Sequence, residues 1–272
     1  ATMGVKVTIV EYMPQIMPLE DEDTAKAMER AFRKMRATVM TSTTVKSVAV
    51  REDGKCDVLI EGKKGEQTLE ADVVLSAVGI KSNIEDMGLE ELGIEVERDK
   101  IKVDEHYKTS VDGVYAIGDI IATPALAHVA SAEAIHCVEH ICGLKPEAVD
   151  YSTIPSCIFT SPEVASVGLT EAQVKAQGIE YKVGKFPYTA SGKATAAGER
   201  DGFVKLIFDA EEKLLGAHFV GHNVTEMIGE PTLAKVLGVN AHRIARTIHA
   251  HPSMHEAVME AAEDALGCAI HM

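Results

Sequence analysis

The sequence predicts a mixed fold in which an α/β part is followed by an α+β part built on an antiparallel sheet. A β-branched apolar run at residues 5–11 ends in an acid and precedes an amphipathic helix, which is typical of a parallel sheet. From residue 151 onward, four segments alternate or run apolar as the strands of an antiparallel sheet would, at residues 156–160, 163–169, 203–209 and 214–221. Helices are expected to follow at residues 223–238 and after Pro252. At 272 residues and 46% hydrophobic, the chain can form two or three domains.

Composition excludes several classes of function. The 42 acidic residues outnumber the 27 basic ones and give a formal charge of −15, so nucleic acid is not expected as a partner. No apolar run approaches the roughly 20 residues of a membrane span, and the start lacks signal-peptide features. The five cysteines are odd in number and mostly scattered, which favours a reducing compartment. No metal site is predicted.

The run Val5–Glu11 predicts a buried parallel strand with Glu11 emerging at the carboxyl edge of the sheet. In dinucleotide-binding units such an acid accepts hydrogen bonds from a ribose, about 20 residues after a glycine-rich turn. Only ten residues precede Glu11, so that turn is not present. The helical spacing of Ala25, Met28 and Phe32 then predicts a surface helix.

Three segments that follow, residues 38–53, 56–62 and 66–79, are expected to be strands. The last is predicted to be buried and to run into Ala77 and Gly79. These small residues would let the backbone approach another group closely, although taken alone they are explained more simply by a tight strand-to-loop turn.

A short strand at Val114–Ile117 is predicted to lead into Gly118 and Asp119, before a helix that begins near Pro124 and Ala125. The aspartate could accept hydrogen bonds from a polyol chain while the N–H groups of the helix face an anion, or it could simply cap a turn. Cys137 and Cys142, five residues apart on this helix, would point to different faces. This arrangement favours packing over a redox disulfide.

Near the end, Pro252 is predicted in the first turn of a helix, which would put His251 at the N-cap and Glu256 about one turn in. A carboxylate there can hold one imidazole nitrogen and fix the tautomer, leaving the other nitrogen to exchange a proton. A histidine capping a helix, with Glu256 favourable near the positive end of the dipole, also explains the segment.

Taken together, these motifs resemble the FAD- and NAD(P)-dependent pyridine nucleotide–disulfide oxidoreductases. The resemblance rests on VVLSAVGIKSN, on TSVDGVYAIGD, and on a series of motifs from Tyr151 to the final IHAHPSMHEAVMEAAEDAL. It covers essentially the whole chain. The His-Ala-His-Pro run favours the members that oxidise dihydrolipoamide over the related glutathione and mercuric reductases.

By this resemblance, His251 is the acid/base that takes a proton from a dihydrolipoamide thiol, and Glu256 orients it. His249 would lie near the substrate channel. His255 is a departure, because the family more often has a small polar residue there. The resemblance also implies FAD and NAD as cofactors, contacted by Glu11, Ala77, Gly79, Gly118, Asp119, Leu126, Ala127 and His128.

The family's first flavin motif, its Cys-x4-Cys redox pair and the glycines of its NAD domain do not occur in this sequence. The chain therefore resembles the C-terminal part of the enzyme: the remainder of a Rossmann-like NAD-binding domain at residues 1–84, a central FAD-contacting segment at 85–150 and an interface domain at 151–272. We expect it neither to retain FAD nor to turn over dihydrolipoamide alone. A non-catalytic dimerisation module is the alternative hypothesis.

The resemblance further implies a homodimer whose interface domain supplies most of the contact. Its partners would be the lipoyl domains of 2-oxoacid dehydrogenase complexes or of the glycine cleavage system. The expected location is the bacterial cytoplasm or the mitochondrial matrix. Glu11 favours NAD over NADP, since a carboxylate would repel a 2′-phosphate.

Overall fold

The computed structural model describes residues 1–272 and shows two compact units, residues 75–151 and the remainder, residues 1–74 with 152–272. None of its helices is both long and apolar enough to cross a membrane. The helices and strands are, in chain order, β1 (Thr8–Val10), α1 (Glu22–Lys34), β2 (Thr38–Met40), β3 (Thr44–Val50), β4 (Cys56–Gly62), β5 (Gly65–Ala71), α2 (Leu89–Leu92), β6 (Val96–Glu97), β7 (Lys100–Ile101), α3 (Ala127–Ile141), β8 (Pro155–Ile158), β9 (Glu163–Gly168), α4 (Glu171–Ala176), β10 (Tyr181–Pro187), α5 (Gly192–Ala197), β11 (Phe203–Asp209), β12 (Leu214–Gly221), α6 (Val224–Met227), α7 (Gly229–Val236), α8 (Ala241–Arg246) and α9 (Glu256–Ala265).

The first elements form a β-α-β unit, because β1 and β2 pair in parallel and α1 connects them. The side chain of Asp21 caps α1 by accepting a hydrogen bond from the backbone N–H of Asp23 at 3.0 Å. The predicted parallel strand and helix are thus present, but the predicted burial of the strand is wrong. Ile9 and Val10 are only half-buried, since the sheet has two strands and much of its surface remains uncovered.

Strands β3, β4 and β5 form a separate antiparallel sheet. The strand predicted at residues 66–79 ends at Ala71, and the prediction that it is buried is wrong. Val73, Leu75 and Val78 are 83%, 87% and 94% exposed. The pairing of β5 with β4 stops at Ala71, so the apolar pattern beyond that residue has no neighbouring strand to join.

The unit of residues 75–151 has its own core, in which side chains around β7 and the following loops pack against α3. Its buried members are Ile94, Ile101, Tyr107, Ala116, Ile121 and Cys137. The strand predicted at Val114–Ile117 is wrong, because only an isolated bridge pairs Lys108 with Tyr115. Backbone bonds around a tight turn take the place of a full strand there. All five cysteines of the chain are free, Cys137 being buried on α3 and Cys142 exposed just after it.

The last part of the chain contains a five-stranded antiparallel sheet in the order β10-β11-β12-β9-β8. The four strands predicted there are confirmed. The fifth, β10, was not predicted, since Gly184 and Pro187 weaken its strand pattern. Gly184 is required by packing: a Cβ atom at this position would lie 1.8 Å from the backbone oxygen of Ala261 on α9. Helix α9 therefore lies directly against the sheet.

Two helix predictions in this domain need correction. The single helix expected at residues 223–238 is split into α6 and α7. Helix α9 begins at Glu256, so Pro252 is not in its first turn, and His255 rather than His251 precedes the first helical residue. The His251–Pro252 peptide is cis, and the carboxylate of Glu256 accepts from the backbone N–H of Ser253 at 2.8 Å. Residues 247–255 form the loop that connects α8 to α9.

Candidate functional site

The loop of residues 247–255 brings His251 and Glu256 together. The Nδ1 atom of His251 lies 2.8 Å from Oε1 of Glu256, and the histidine side chain is 78% exposed. Burial alone would raise the pKa of Glu256, but hydrogen bonds from the Ser253 N–H and from His251 outweigh it and lower the pKa. The carboxylate therefore stays ionised and accepts from Nδ1, while Nε2 has no hydrogen-bond partner within the protein. Such a ring can exchange a proton at Nε2.

A second histidine–carboxylate arrangement lies beside the first. His249 is almost fully buried, with a side-chain exposure of 6%, and its Nε2 is 2.8 Å from Oε1 of Glu230. His255 places its Nδ1 3.0 Å from the other oxygen, Oε2, of the same carboxylate. Glu230 lies on α7, 19 positions before His249. No short-range motif spacing connects it to the loop, so sequence reasoning missed it.

A small cavity adjoins this arrangement. It has a volume of about 290 Å³ and is lined at one end by His249 and Glu230 and elsewhere by mainly apolar side chains of α7, α8 and α9. Ligand pockets usually enclose about 300–1,000 Å³, so this cavity is too small to hold a dinucleotide cofactor. The chemical groups that the loop of residues 247–255 offers are therefore its histidine side chains.

The predicted flavin contacts Gly118 and Asp119 lie in a short 3-10 turn of the second unit. The backbone N–H of Gly118 donates to Oε2 of the fully buried Glu133 at 2.7 Å. Lys100 Nζ donates to the backbone carbonyl of Asp119 at 2.7 Å, whereas the Asp119 residue is exposed. Glu133 and Lys100 thus hold the turn through its backbone atoms, while Asp119 stays exposed. Glu133, which fixes the turn from α3, was not predicted.

The helix that follows this turn begins without a side-chain cap. Leu126 precedes α3 and makes no capping hydrogen bond, and Ala127 in its first turn is exposed. Helix N–H groups in this position attract an anion. An exposed carboxylate for a polyol and an open helix terminus for a phosphate fit the chemistry of FAD. His128, the last residue predicted there, is also exposed in the first turn.

The other residues predicted to contact a cofactor are Glu11, expected at the ribose of NAD, and the small residues Ala77 and Gly79. Glu11 follows β1, and its Oε1 accepts from the backbone N–H of Met13 at 2.7 Å. Ala77 and Gly79 are exposed in the second unit, outside any strand. Gly79 has a φ of 118°, which favours glycine, and a Cβ atom there would meet nothing within 4 Å. The predicted close approach to another group is not seen at this position.

Two family profiles match most of the chain. Residues 1–134 match the pyridine nucleotide-disulphide oxidoreductases, and residues 154–262 match the dimerisation domain of the same enzymes. The fold agrees, with a parallel β-α-β unit at the start and an antiparallel five-stranded sheet in the matched dimerisation region. The chain belongs to the pyridine nucleotide-disulphide oxidoreductase family.

Among the curated relatives, this chain is similar to dihydrolipoyl dehydrogenases. It is 47% identical over 268 residues to the enzyme of Chlorobaculum parvum and 44% identical over 271 residues to that of Bacillus subtilis. Each match covers 98% of this chain and 57% of the relative. The chain thus spans little more than half the length of these curated relatives.

Solved structures show the same similarity. LpdA from Mycobacterium tuberculosis matches 96% of this chain and 56% of its own, with 27% identity and a TM-score of 0.85. The flavoprotein disulfide reductase RclA from Escherichia coli, in its Cu(II) complex, matches 96% of this chain and 58% of its own, with 25% identity and a TM-score of 0.87. The fold is therefore shared by members with different names.

Proposed function

We propose that this chain carries the proton-transfer and dimerisation part of a dihydrolipoyl dehydrogenase. The observation that carries the proposal is the contact of 2.8 Å between Nδ1 of the exposed His251 and Oε1 of Glu256. A histidine oriented by an ionised carboxylate, with its other nitrogen open, is the usual arrangement of a general base. The similarity to curated dihydrolipoyl dehydrogenases supports the choice of substrate.

In the proposed step, a thiol of dihydrolipoamide gives its proton to Nε2 of His251. Nδ1 keeps its own proton, which stays hydrogen-bonded to Glu256, so the imidazolium that forms is stabilised by the carboxylate. The sulfur becomes a thiolate, the form of a thiol that attacks disulfides. The five cysteines of this chain are free, so the attacked disulfide has to come from elsewhere in the intact enzyme.

FAD and NAD are proposed as cofactors of the intact enzyme. Asp119 would accept hydrogen bonds from the flavin's polyol, and the uncapped start of α3 at Leu126, Ala127 and His128 would face its phosphates. Glu11 would accept from the ribose of NAD, with Ala77 and Gly79 near the cofactor. When bound, FAD would pass the electrons on to NAD. We expect neither cofactor to be held firmly by this chain alone.

We also propose that the chain forms homodimers through residues 151–272. The match to the family's dimerisation domain supports this proposal. Large apolar side chains on α7, directly after it and in the loop are exposed, among them Leu233, Leu237 and Ile248, at 59%, 67% and 96%. Exposed apolar surface of this kind marks interaction sites. The proposed partners in the cell are lipoyl domains, in the bacterial cytoplasm or the mitochondrial matrix.

The first test is the absorbance spectrum of the purified chain with and without added FAD. We expect no flavin band after removal of free FAD, and an FAD-loaded, active chain would overturn the proposed division of roles. The second test joins this chain to the part of the Bacillus subtilis relative that the match does not cover. The chimera should oxidise dihydrolipoamide with NAD.

In that chimera, His251→Gln should lower the rate of dihydrolipoamide oxidation by about 10²–10⁴-fold. His242→Gln is the matched control, since this exposed histidine also contacts a carboxylate, Glu212, at 3.3 Å, but lies on α8. An active chimera whose rate is insensitive to His251→Gln would contradict the assignment of the base.

A non-catalytic dimerisation module is the second candidate. Its support is the large core of the last domain, whose buried members all lie between residues 165 and 262. A domain with its own core can fold and pair without a cofactor. If the chimera binds FAD but stays inactive while the chain alone sediments as a dimer, this second candidate is favoured.

A further inference from the structure

The histidine His249 has hydrogen-bond acceptors on both sides of its ring. Its Nδ1 lies 2.8 Å from the backbone oxygen of Thr247, and its Nε2 lies 2.8 Å from Oε1 of Glu230. A carbonyl oxygen only accepts, and an ionised carboxylate only accepts. Both ring nitrogens must therefore carry a proton if Glu230 is ionised, which makes the ring an imidazolium. His251 differs, because only its Nδ1 faces an acceptor.

The carboxylate of Glu230 is shared between two imidazoles. Oε1 contacts His249, and Oε2 contacts Nδ1 of His255 at 3.0 Å. Burial by itself would raise the pKa of Glu230, but the hydrogen bonds from the two histidines outweigh it and lower the pKa. The hydrogen bond to Glu230 raises the pKa of His249 against the opposing effect of burial. The proton between Glu230 and His249 thus resides on the His249 ring.

The shared carboxylate connects α7 to both ends of the loop of residues 247–255. Glu230 belongs to α7, whereas His249 and His255 lie near the two ends of the loop of residues 247–255, the second of them directly before α9. The loop is also tied to α8, because Thr247 Oγ1 donates to the backbone oxygen of Arg243 at 2.8 Å. The titratable groups facing His249 are Glu230 from α7 and Glu256 from α9, while the cavity wall beside it is mainly apolar. Both carboxylates favour a charge on the ring, and the other imidazole that contacts Glu230 is that of His255.

We propose that Glu230 and His255 are positioning residues for the loop of residues 247–255, and that His249 is a fixed imidazolium that cannot act as a base. His251 is then the one histidine of the His-Ala-His-Pro run able to accept a proton. The shared carboxylate holds both ends of the loop, so His251 stays against Glu256. This inference rests on the proposed function in one respect only, the role of His251 as the base.

The charge of His249 is tested by NMR on the 272-residue chain labelled with ¹⁵N-histidine. We expect protons on both ring nitrogens of His249 at about pH 6.5, the ordinary pKa of histidine, in long-range ¹H–¹⁵N spectra, with the signal assigned from its loss in His249→Gln. In Glu230→Gln the carboxylate charge is gone, so His249 should lose a proton at a lower pH than in the wild type. A single N–H on His249 in the wild type would overturn the fixed charge.

The positioning role is tested by the exchange of the His251 Nδ1 proton with water in two variants of His255. His255→Ala removes the donor to Glu230 and should make the His251 proton exchange faster by tenfold or more. His255→Gln keeps an N–H donor and should restore part of the protection. Because glutamine retains the hydrogen bond, this variant stays informative even if His255→Ala fails to fold. Unchanged protection of His251 in folded His255→Ala would overturn the role.

The matched control is His271→Ala. This histidine contacts Glu260, which also lies on α9, so the control breaks a histidine–carboxylate pair that includes no residue of the loop of residues 247–255. It should leave the His251 proton protected as in the wild type. These measurements need no flavin or substrate. If the chimera shows that His251 is not the base, the roles proposed for Glu230 and His255 are unaffected. If the chimera is active and depends on His251 but these NMR results are not obtained, only the present inference is overturned.

Discussion

The ammonium nitrogen of Lys205 lies 2.8 Å from Oδ1 of Asp21, and the two residues are 184 positions apart. Their side chains are 2% and 1% exposed. Lys205 also contacts Glu171 at 2.7 Å and Asp23 at 3.1 Å. Burial alone would lower the pKa of Lys205, but the hydrogen bonds with Asp21 and Glu171 raise it above its usual value. A charged cluster therefore joins α1 and α4 to strand β11 of the five-stranded sheet.

The first prediction concerns Lys205→Met. Removing the ammonium leaves Asp21 buried and ionised without its partner, and loss of one member of a buried ion pair typically costs about 3–5 kcal/mol. We expect a decrease of this size in the free energy of unfolding measured in urea. Lys34→Met is the control, since its pair with Asp201 is 65% exposed on both sides and should contribute little. Equal effects of the two variants would contradict a special contribution of the buried Lys205–Asp21 ion pair to stability.

The second prediction concerns acid and Glu171. Hydrogen bonds with Lys175 and Lys205 lower the pKa of Glu171 to about 2 in the folded chain, whereas an unfolded glutamate titrates near about 4.3. The unfolded chain thus binds the proton first as the pH falls, so this contribution is complete above about pH 4.3 and disappears toward pH 2. Glu171→Gln should destabilise the chain at pH 6 but not at pH 2.

The comparison is made from urea midpoints of wild type and Glu171→Gln between pH 6 and pH 2. Glu211→Gln serves as the control, because this 75% exposed carboxylate contacts only Lys213 at the surface. A stability difference between wild type and Glu171→Gln that stays constant over this range would contradict the lowered pKa as its source.

The third prediction concerns the contact between β10 and α9. A Cβ atom on Gly184 would lie 1.8 Å from the oxygen of Ala261 and 2.7 Å from the nitrogen of Ala265. Gly184→Ala must therefore push α9 off the sheet, at a cost of about 1–3 kcal/mol or more. The shift should also disturb the His251–Glu256 contact, because Glu256 begins this helix. Denaturation and the NMR signal of His251 measure the two effects.

Gly192→Ala is the matched control for Gly184→Ala. Gly192 has ordinary backbone angles, and a Cβ atom there meets nothing within 4 Å. Alanine in this first helical position should leave the stability unchanged or raise it by up to about 1 kcal/mol. If both variants behave alike, the close approach of strand and helix is not what determines the effect at Gly184.

The sequence correctly predicted helices and strands with a strong hydrophobic periodicity or with a pairing strand close by in the chain. The helix α1 followed from the spacing of Ala25 and Met28, and the strands β11 and β12 followed from their apolar runs. Residues 72–79 have an equally apolar pattern, but this part of the chain forms no strand. A β-strand forms only where a neighbouring strand pairs with it, and the local sequence pattern does not show whether such a neighbour is present.

The candidate site was predicted only as far as its motif extends. His251 and Glu256 are five residues apart, so their contact could be expected from the sequence. The start of the helix was predicted too early, at Pro252 rather than at Glu256. Glu230 and Glu133 were missed, because each reaches its partner over 15 or more positions and carries no recognisable spacing. Buried carboxylates of this kind are found from packing rather than from motifs.

The last prediction concerns the hydroxyl of Tyr151. It donates to Oε1 of the fully buried Glu133 at 2.8 Å, and the other oxygen of Glu133 accepts from the N–H of Gly118. Burial, together with the hydrogen bonds to Tyr107 and Glu133, raises the pKa of Tyr151, so the hydroxyl stays protonated and remains a donor. Tyr151→Phe removes one of the two donors to a buried carboxylate, a loss that costs about 1–3 kcal/mol.

We expect Tyr151→Phe to destabilise the unit of residues 75–151 and to speed hydrogen exchange at the Gly118 amide, because the freed carboxylate can move away from the turn. Tyr107→Phe is the control, since the Tyr107 hydroxyl lies 3.0 Å from that of Tyr151 and does not contact Glu133 directly. Its effect should be smaller and should leave Gly118 protected. Equal exchange in the two variants would mean that the Gly118–Asp119 turn is held by its own backbone and by Lys100, and that Glu133 does not position it.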